Sequence, residues 1–317
     1  MRTNFRLLLG IVVAFMLTRG ELLAVSIEMV TIGNAGNSGE LVGGVINGKN
    51  HGPLATVGRV DYQYQIGKYE VTVGQYAQFL RSVAWKNDPY LLYSSRMPIQ
   101  RSGVLGSYVY IVPPGYENAP INFVWFADAV RFVNWLSNGQ PVGQQTLATT
   151  ESGSYYINGA VYAAQLAQVT RSPNATWVLP NENEWHKAAY HKNDGVTGNY
   201  WAYPTMSDVM DTTQANYGYE LQQITVTGYY DRPSAYGTYD QGGNVSEMLE
   251  TGADQFSLRG GGFGSDAERL SARWHWISSP SGTQSDQYAD EGFRVALVPE
   301  PLSGVLMVGC LLLVRRR

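Results

Sequence analysis

Apolar residues recur at helical spacing in three segments of the chain. In the first, Thr72 and Gln75 form a capping box. The apolar face that follows consists of Tyr76, Phe79, Leu80 and Val83. The second covers residues 125–137 and precedes Gly139, a residue typical of helix C-termini. The third begins at Asn181, which can cap it. The sequence therefore predicts three amphipathic helices.

Short apolar or alternating runs, typical of strands, surround these helices. Residues 26–32 and 62–71 are predicted strands, and residues 292–297 are predicted to form a buried terminal strand. Residues 33–53 are rich in Gly and Asn, so we expect an irregular loop there. Residues 139–175 resemble an insertion with short alternating pieces. The pattern predicts one continuous α+β domain with many loops.

The composition is that of a folded protein. The 317 residues are 44% hydrophobic and 15% charged, with 35 glycines and 22 tyrosines. A disordered chain would be richer in charge and poorer in core residues. Without residues 1–24 and the three C-terminal arginines, basic residues fall from 22 to 16 and acidic residues from 26 to 25, which leaves a net charge of about −9. This acidic body is not expected to bind nucleic acid.

The N-terminus has the features of an export signal. Arg2 and Arg6 precede an apolar run over residues 7–17, which is too short to span a bilayer as a helix. Small residues follow, and Ala24 is the expected residue before the cleavage point. We therefore expect residues 1–24 to be a signal peptide that directs export.

The C-terminus carries a tail in three parts: a Pro-Glu-Pro motif, an apolar run over residues 302–314, and an arginine cluster. The motif and the cluster consist of Pro299, Glu300, Pro301, Arg315, Arg316 and Arg317. This order resembles the PEP-CTERM sorting signal of Gram-negative-type bacteria. The resemblance implies an exosortase-type protease as partner and a transient or processed membrane anchor in the cell envelope. We assign residues 298–317 to sorting and residues 25–297 to the folded domain.

The chain has a single cysteine, Cys310, inside the C-terminal apolar run. The folded domain therefore has no disulfide, no thiolate nucleophile and no thiolate metal ligand. Its stability has to come from core packing, for which its length is sufficient.

Six short blocks follow one another along the body. They are Ile66-Gly67-Lys68-Tyr69-Glu70-Val71-Thr72, Ala127-Asp128-Ala129, Leu179-Pro180, Tyr236-Gly237-Thr238-Tyr239-Asp240 with Gly243-Asn244-Val245, Arg259-Gly260-Gly261, and Gly292-Phe293-Arg294. In this order they resemble the formylglycine-generating, sulfatase-modifying-factor family. The resemblance implies that family's variant of the C-type lectin fold, an α+β architecture with little regular structure and many ordered loops.

The same resemblance argues against the family's oxidase chemistry. Its oxidases hold copper with two cysteines that belong within residues 262–271, and this chain has none there. Copper(I) selects sulfur ligands, so copper is not expected. Related sulfoxide synthases use iron held by histidines. The histidines here are His51, His186, His191 and His275, for which we expect surface or capping roles.

The resemblance also implies a structural Ca²⁺ site at the Gly-Asn-x-x-Glu block. The matching ligands are Asp240, the Gly242 carbonyl, Asn244 and Glu247, with Asn216 as a candidate for a second site. Carboxylate, amide and carbonyl oxygens are the ligands that Ca²⁺ prefers. The alternative is that Asn244 and Glu247 bond the loop backbone without an ion.

In lectin-fold relatives the segment between the glycine block, here Arg259-Gly260-Gly261, and the last strand forms an exposed binding face. The candidate ligand-binding residues here are Phe263, Arg269, Trp274, His275 and Trp276. Two tryptophans around a histidine can stack on a sugar or a peptide, while core packing of at least one tryptophan is equally compatible with the sequence.

Two functions remain. The first is a non-catalytic cell-surface protein that binds a polysaccharide, a peptide or an envelope protein through the lectin-like face. The alternative is an extracytoplasmic metal-dependent oxidoreductase of the same superfamily with a non-cysteine site. The missing cysteine pair favours the first.

Overall fold

The computed structural model describes residues 24–250, 256–275, 277–278 and 287–300. The helices in this part of the chain are α1 (Val73–Val83), α2 (Phe126–Ser137), α3 (Ala163–Leu166), α4 (Glu182–Tyr190) and a 3₁₀ helix (Ala267–Leu270). The strands are β1 (Met29–Ile32), β2 (Glu40–Val42), β3 (Val45–Ile46), β4 (Lys49–Asn50), β5 (Ala55–Val57), β6 (Tyr64–Gly67), β7 (Gln100–Ser102), β8 (Val109–Ile111), β9 (Trp177–Val178), β10 (Ser246–Met248), β11 (Phe256–Arg259), β12 (Ile277–Ser278), β13 (Glu291–Gly292) and β14 (Ala296–Leu297). These short elements and long loops confirm the predicted loop-rich α+β class.

Hydrogen bonds confirm two of the predicted helix starts. At α1, the Thr72 hydroxyl accepts from the Gln75 amide at 3.3 Å, and the Gln75 side chain accepts from the Thr72 amide at 2.9 Å. At α4, the Asn181 side chain accepts from the Glu184 amide at 3.0 Å, and the Glu184 carboxylate accepts from the Asn181 amide at 2.8 Å. Such reciprocal caps satisfy backbone donors that a helix N-terminus leaves unpaired.

An aromatic cluster joins α1, α2 and the C-terminal segment in one core. The Phe132 ring lies 5.4 Å from Phe79 and 5.5 Å from Phe293, both edge to face, and it stacks with Tyr76 at 6.1 Å. All four side chains are fully buried. Ring packing of this kind adds to the stabilisation that burial provides.

Two four-stranded sheets connect distant parts of the chain. The first has the order β1-β6-β14-β9 and is antiparallel, with Ala296 opposite Ile66 and Val178. The second has the order β12-β11-β10-β13, in which β10 and β13 run parallel. The single terminal strand predicted over residues 292–297 is therefore wrong: β13 and β14 lie in different sheets because residues 293–295 cross between them.

The expectation of an irregular loop over residues 33–53 is also wrong. Strand β2 pairs with β5 and β3 pairs with β4, so this segment forms nested hairpins. Gly43, Gly44 and Gly48 all have φ between +77° and +79°, and a Cβ added at Gly43 would lie 2.0 Å from the Pro53 carbonyl oxygen. The glycines that suggested a loop are the residues that permit the tight turns.

Candidate functional site

Two of the predicted ligand-binding residues share an open cavity of about 520 Å³. The Arg269 side chain is exposed, and its guanidinium carbon lies 5.4 Å from the centre of the half-buried Trp274 ring system. Ser265, Tyr288 and Asp290 line the same cavity. We call this surface the Arg269–Trp274 face. It combines an aromatic ring with charged and hydroxyl groups, a combination that suits a polar ligand with an apolar side.

The other three predicted ligand-binding residues are placed differently. Phe263 packs edge to face against Tyr219 at 6.0 Å and lines a second cavity. His275 is only 3% exposed, with Nε2 2.9 Å from a Glu182 carboxylate oxygen and Nδ1 2.7 Å from the Pro53 carbonyl oxygen. This burial does not favour a direct ligand contact by His275. Trp276 lies outside the described residues.

A buried chain of polar side chains supports the Arg269–Trp274 face from behind. Arg259 donates to the Trp274 carbonyl oxygen and to Nδ1 of His186, the latter at 2.7 Å. Nε2 of His186 lies 3.0 Å from a Glu40 carboxylate oxygen. Because Nδ1 accepts from Arg259, the imidazole is neutral and Nε2 donates to Glu40. Burial and then the Arg259 charge hold the pKa of His186 well below its usual value.

The sequence did not indicate this support. Glu40, His186 and Arg259 are far apart in the chain, and only the hairpin over residues 40–57 and the start of the glycine block bring them together. A glycine-rich segment with a lone Glu carries no signal of such a contact.

Two of the predicted calcium ligands already accept hydrogen bonds from protein groups. Glu247 accepts from both Nε and Nη2 of Arg294 at 2.5 Å and from Nε1 of Trp185 at 2.7 Å. The Asn244 side-chain oxygen accepts from the Thr225 amide at 2.9 Å. A guanidinium directly on Glu247 repels a second cation at that carboxylate. These contacts support the alternative in which both residues hold the loops without an ion.

The remaining calcium candidates also lie against protein groups. Asp240 accepts from the Gly228 amide at 2.5 Å, and burial raises its pKa to about 6. Gly242 lies against a proline, since an added Cβ there would be 2.7 Å from the Pro204 ring. The Asn216 amide nitrogen donates to the Gln223 carbonyl oxygen at 2.9 Å, whereas its side-chain oxygen is buried and has no hydrogen-bond partner among the described residues. The calcium site therefore stays a prediction, in which two of the expected ligands are already engaged by protein donors.

No sequence pattern indicated the position of one further carboxylate in this region. Glu70 is 1% exposed, and neither of its carboxylate oxygens has a hydrogen-bond partner among the described residues. Burial and then the Asp240 charge raise the pKa of Glu70 well above its usual value. A protonated Glu70 avoids the cost of a second buried anion beside Asp240.

The four histidines do not form a metal site. His191 is the C-cap of α4, which matches one of the expected roles, but all four are buried rather than at the surface. Nε2 of His51 lies 2.8 Å from Glu268, and Nδ1 of His191 lies 2.9 Å from the Tyr236 hydroxyl. Within the described ranges, no three His, Cys, Asp or Glu side chains are placed to hold a metal ion.

The two chain ends fall mostly outside the described residues. Pro299 and Glu300 are exposed, while Pro301 and the arginine cluster Arg315, Arg316 and Arg317 are not described. Across residues 24–300, as far as they are described, no helix has the length and apolar character that a membrane crossing requires.

The comparisons with known proteins agree with the fold. A family model for the sulfatase-modifying factor enzyme 1-like domain matches residues 28–298. Treponema denticola variable protein 1 is similar in structure, with a TM-score of 0.59, 19% identity, and coverage of 87% of this chain and 96% of that chain. CarF has a TM-score of 0.52 and 20% identity, and the match covers 87% of this chain and 99% of CarF. PvdO from Pseudomonas aeruginosa has a TM-score of 0.51 and 18% identity, and the match covers 86% of this chain and 94% of PvdO. No curated protein matches the chain. Because the family model covers most of its length, the chain belongs to the sulfatase-modifying-factor family.

Proposed function

We propose that this protein is an exported, non-catalytic binding protein of the cell envelope, which uses the Arg269–Trp274 face to hold a polysaccharide, a peptide or another envelope protein. The observation that carries the proposal is the open cavity that Arg269 and Trp274 share, with the arginine over the indole ring. A half-buried indole offers a flat apolar surface for stacking, and the guanidinium offers several donors for oxygen atoms of a ligand.

The absence of thiols in the domain supports binding rather than oxidation. The only cysteine of the chain is Cys310, beyond the family domain, so a two-thiolate copper site cannot form there. The alternative, a metal-dependent oxidoreductase with a non-cysteine site, would require a ligand cluster, and none of three or more such side chains lies within the described residues.

Two contacts near the start of the domain support export with cleavage after Ala24. The Val25 amide donates to the Gln140 side chain at 2.6 Å, and the Gln140 side chain donates back to the Val25 carbonyl oxygen at 2.9 Å. Val25, which would be the first residue after cleavage, is thus bonded to the folded domain. The tail would then engage an exosortase-type protease, and the body would remain in the envelope or outside the cell.

Binding to an array of bacterial polysaccharides and envelope peptides tests the proposal. We expect the purified chain to bind at least one class of probe, and Trp274→Ala and Arg269→Ala to weaken it by about tenfold or more. Trp201→Ala is a matched control, because Lys192 lies over that indole at 4.0 Å in the same kind of pair. Equal binding by all variants, or oxygen consumption by the metal-supplemented protein, would overturn the proposal.

A further inference from the structure

A second and larger cavity, of about 650 Å³, is lined by Ala289, whose two neighbours Tyr288 and Asp290 line the cavity of the Arg269–Trp274 face. Its wall includes Arg96, Arg101, Asn122, Phe123 and Phe263, and we call it the arginine cavity. Ligand-binding pockets typically enclose about 300–1,000 Å³. The cavity therefore has room for a ligand of its own, independent of the proposed function of the first face.

Among the described residues, the charged side chains that line the arginine cavity are opposite in sign to the net charge of the protein. Two arginines line it and no described Asp or Glu does, although the body carries about −9. The Arg101 guanidinium lies 4.4 Å and 4.6 Å from the ring centres of Tyr93 and Tyr108, and that of Arg96 lies 5.4 Å from Phe123. Rings that pack against guanidinium planes orient them, and the N–H groups at the edges suit a carboxylate.

The wall contains an unsatisfied acceptor. Asn122 is only 5% exposed and its amide nitrogen donates to the Ala289 carbonyl oxygen at 2.6 Å, but its side-chain oxygen has no hydrogen-bond partner among the described residues. Buried polar atoms normally find a partner. A hydroxyl group of a ligand in the cavity is a donor of the kind this oxygen lacks.

The backbone of the same wall is strained. Phe123 and Gln222 have φ of 55° and 56°, a conformation that side chains of this size rarely adopt. Strained residues of this kind cluster at ligand-binding positions, where the surrounding structure holds them. In this conformation the Phe123 ring lies beside the cavity and under Arg96.

We propose that the arginine cavity binds a sugar that carries a carboxylate, such as a uronic acid unit of an acidic polysaccharide. Arg96 and Arg101 bind the carboxylate, and the half-buried Phe123 and Phe263 rings pack against the apolar face of the pyranose. The amide side chain of Asn122 and those of Gln100, Gln222 and Gln223 meet the hydroxyl groups. This amide-rich lining favours a sugar over an acidic peptide.

Titration of the purified chain with an oligogalacturonate, its methyl ester and an oligoglutamate tests the assignment in calcium-free buffer. We expect the acid sugar to bind and its methyl ester to bind at least about tenfold more weakly. The variants Arg96→Gln and Arg101→Gln should each bind the acid sugar about tenfold more weakly than the wild type does. Arg59→Gln, another exposed arginine, is the control and should bind as the wild type does.

Three outcomes would overturn the inference: equal binding of acid and ester, equal or tighter binding of oligoglutamate, or no binding of the acid sugar. Loss of binding in Trp274→Ala but not in Arg96→Gln would also overturn it, while supporting the first face. Arg96 is exposed, so its variant is expected to fold, and a thermal melt checks this.

Discussion

Arg294 and Glu247 form a two-point ion pair in the interior, with both nitrogen–oxygen distances at 2.5 Å. Both side chains are fully buried. The remaining donors of Arg294 reach the carbonyl oxygens of Gly67 at 2.9 Å and Tyr239 at 2.8 Å. Arg294 lies in the segment that crosses between the two sheets. Its guanidinium therefore bonds this segment to β10, to the end of β6 and to the loop before Asp240.

We expect Glu247→Gln to lower the free energy of unfolding by about 3–5 kcal/mol, because it leaves a buried guanidinium without its counter-charge. Urea denaturation measures the change. Glu28→Gln, which breaks the exposed pair with Lys68 at 2.7 Å, is the control and should cost no more than about 1 kcal/mol. Similar small losses in both variants would contradict the structural role of the buried pair.

The same pair leads to a prediction about calcium. Since Glu247 and Asn244 are engaged by protein donors, millimolar Ca²⁺ should shift the thermal midpoint of the wild type by less than about 1 °C. Differential scanning calorimetry with Ca²⁺ and with a chelator checks this. A clear stabilisation that Asp240→Asn abolishes would instead establish the calcium site that the family resemblance implies.

Asp128, in the first turn of α2, should make stability depend on pH. It is fully buried, and burial raises its pKa to about 7, from about 4 in an unfolded chain. The folded state therefore holds a proton that the unfolded state releases between these values. The stability that this group contributes is present below about pH 4 and is lost as the pH rises through about 7.

Asp128→Asn should accordingly be more stable than the wild type at pH 8, by about 1–3 kcal/mol, with a smaller difference at pH 5. The Asn side chain can still accept from the Trp125 amide, as Asp128 does at 2.9 Å. Urea denaturation at both pH values measures the difference, with exposed Asp61→Asn as the control. The same difference at pH 5 and pH 8 would show that the charge of Asp128 is not its cause.

Removal of the predicted signal peptide should produce a protein that starts at Val25. The amide and the carbonyl of Val25 both form hydrogen bonds with the Gln140 side chain. Exosortase-type processing should remove the C-terminal arginines. The intact mass of the protein isolated from its native envelope checks both ends at once. A mass that includes residues 1–24 would contradict the export proposal, and one that includes Arg317 would contradict the processed tail.

The features predicted from sequence are those set by neighbours along the chain. The capping boxes of Thr72 with Gln75 and of Asn181 with Glu184 are local, and both were found. The buried Arg259 reaches His186 across 73 positions, so no local pattern could indicate it. For the same reason, Arg269 and Trp274 line one cavity and Phe263 lines another, since the packing of whole loops decides which side chains share a cavity.

A domain of this fold without cysteines should not oxidise a thiol by the copper-dependent route. Incubation of the purified, copper-supplemented chain with a cysteine peptide of the sulfatase type tests this most directly. We expect mass spectrometry to find the peptide cysteine unchanged, because the domain has no cysteine to hold copper. Conversion of that cysteine to an aldehyde, in proportion to the amount of protein, would contradict the account.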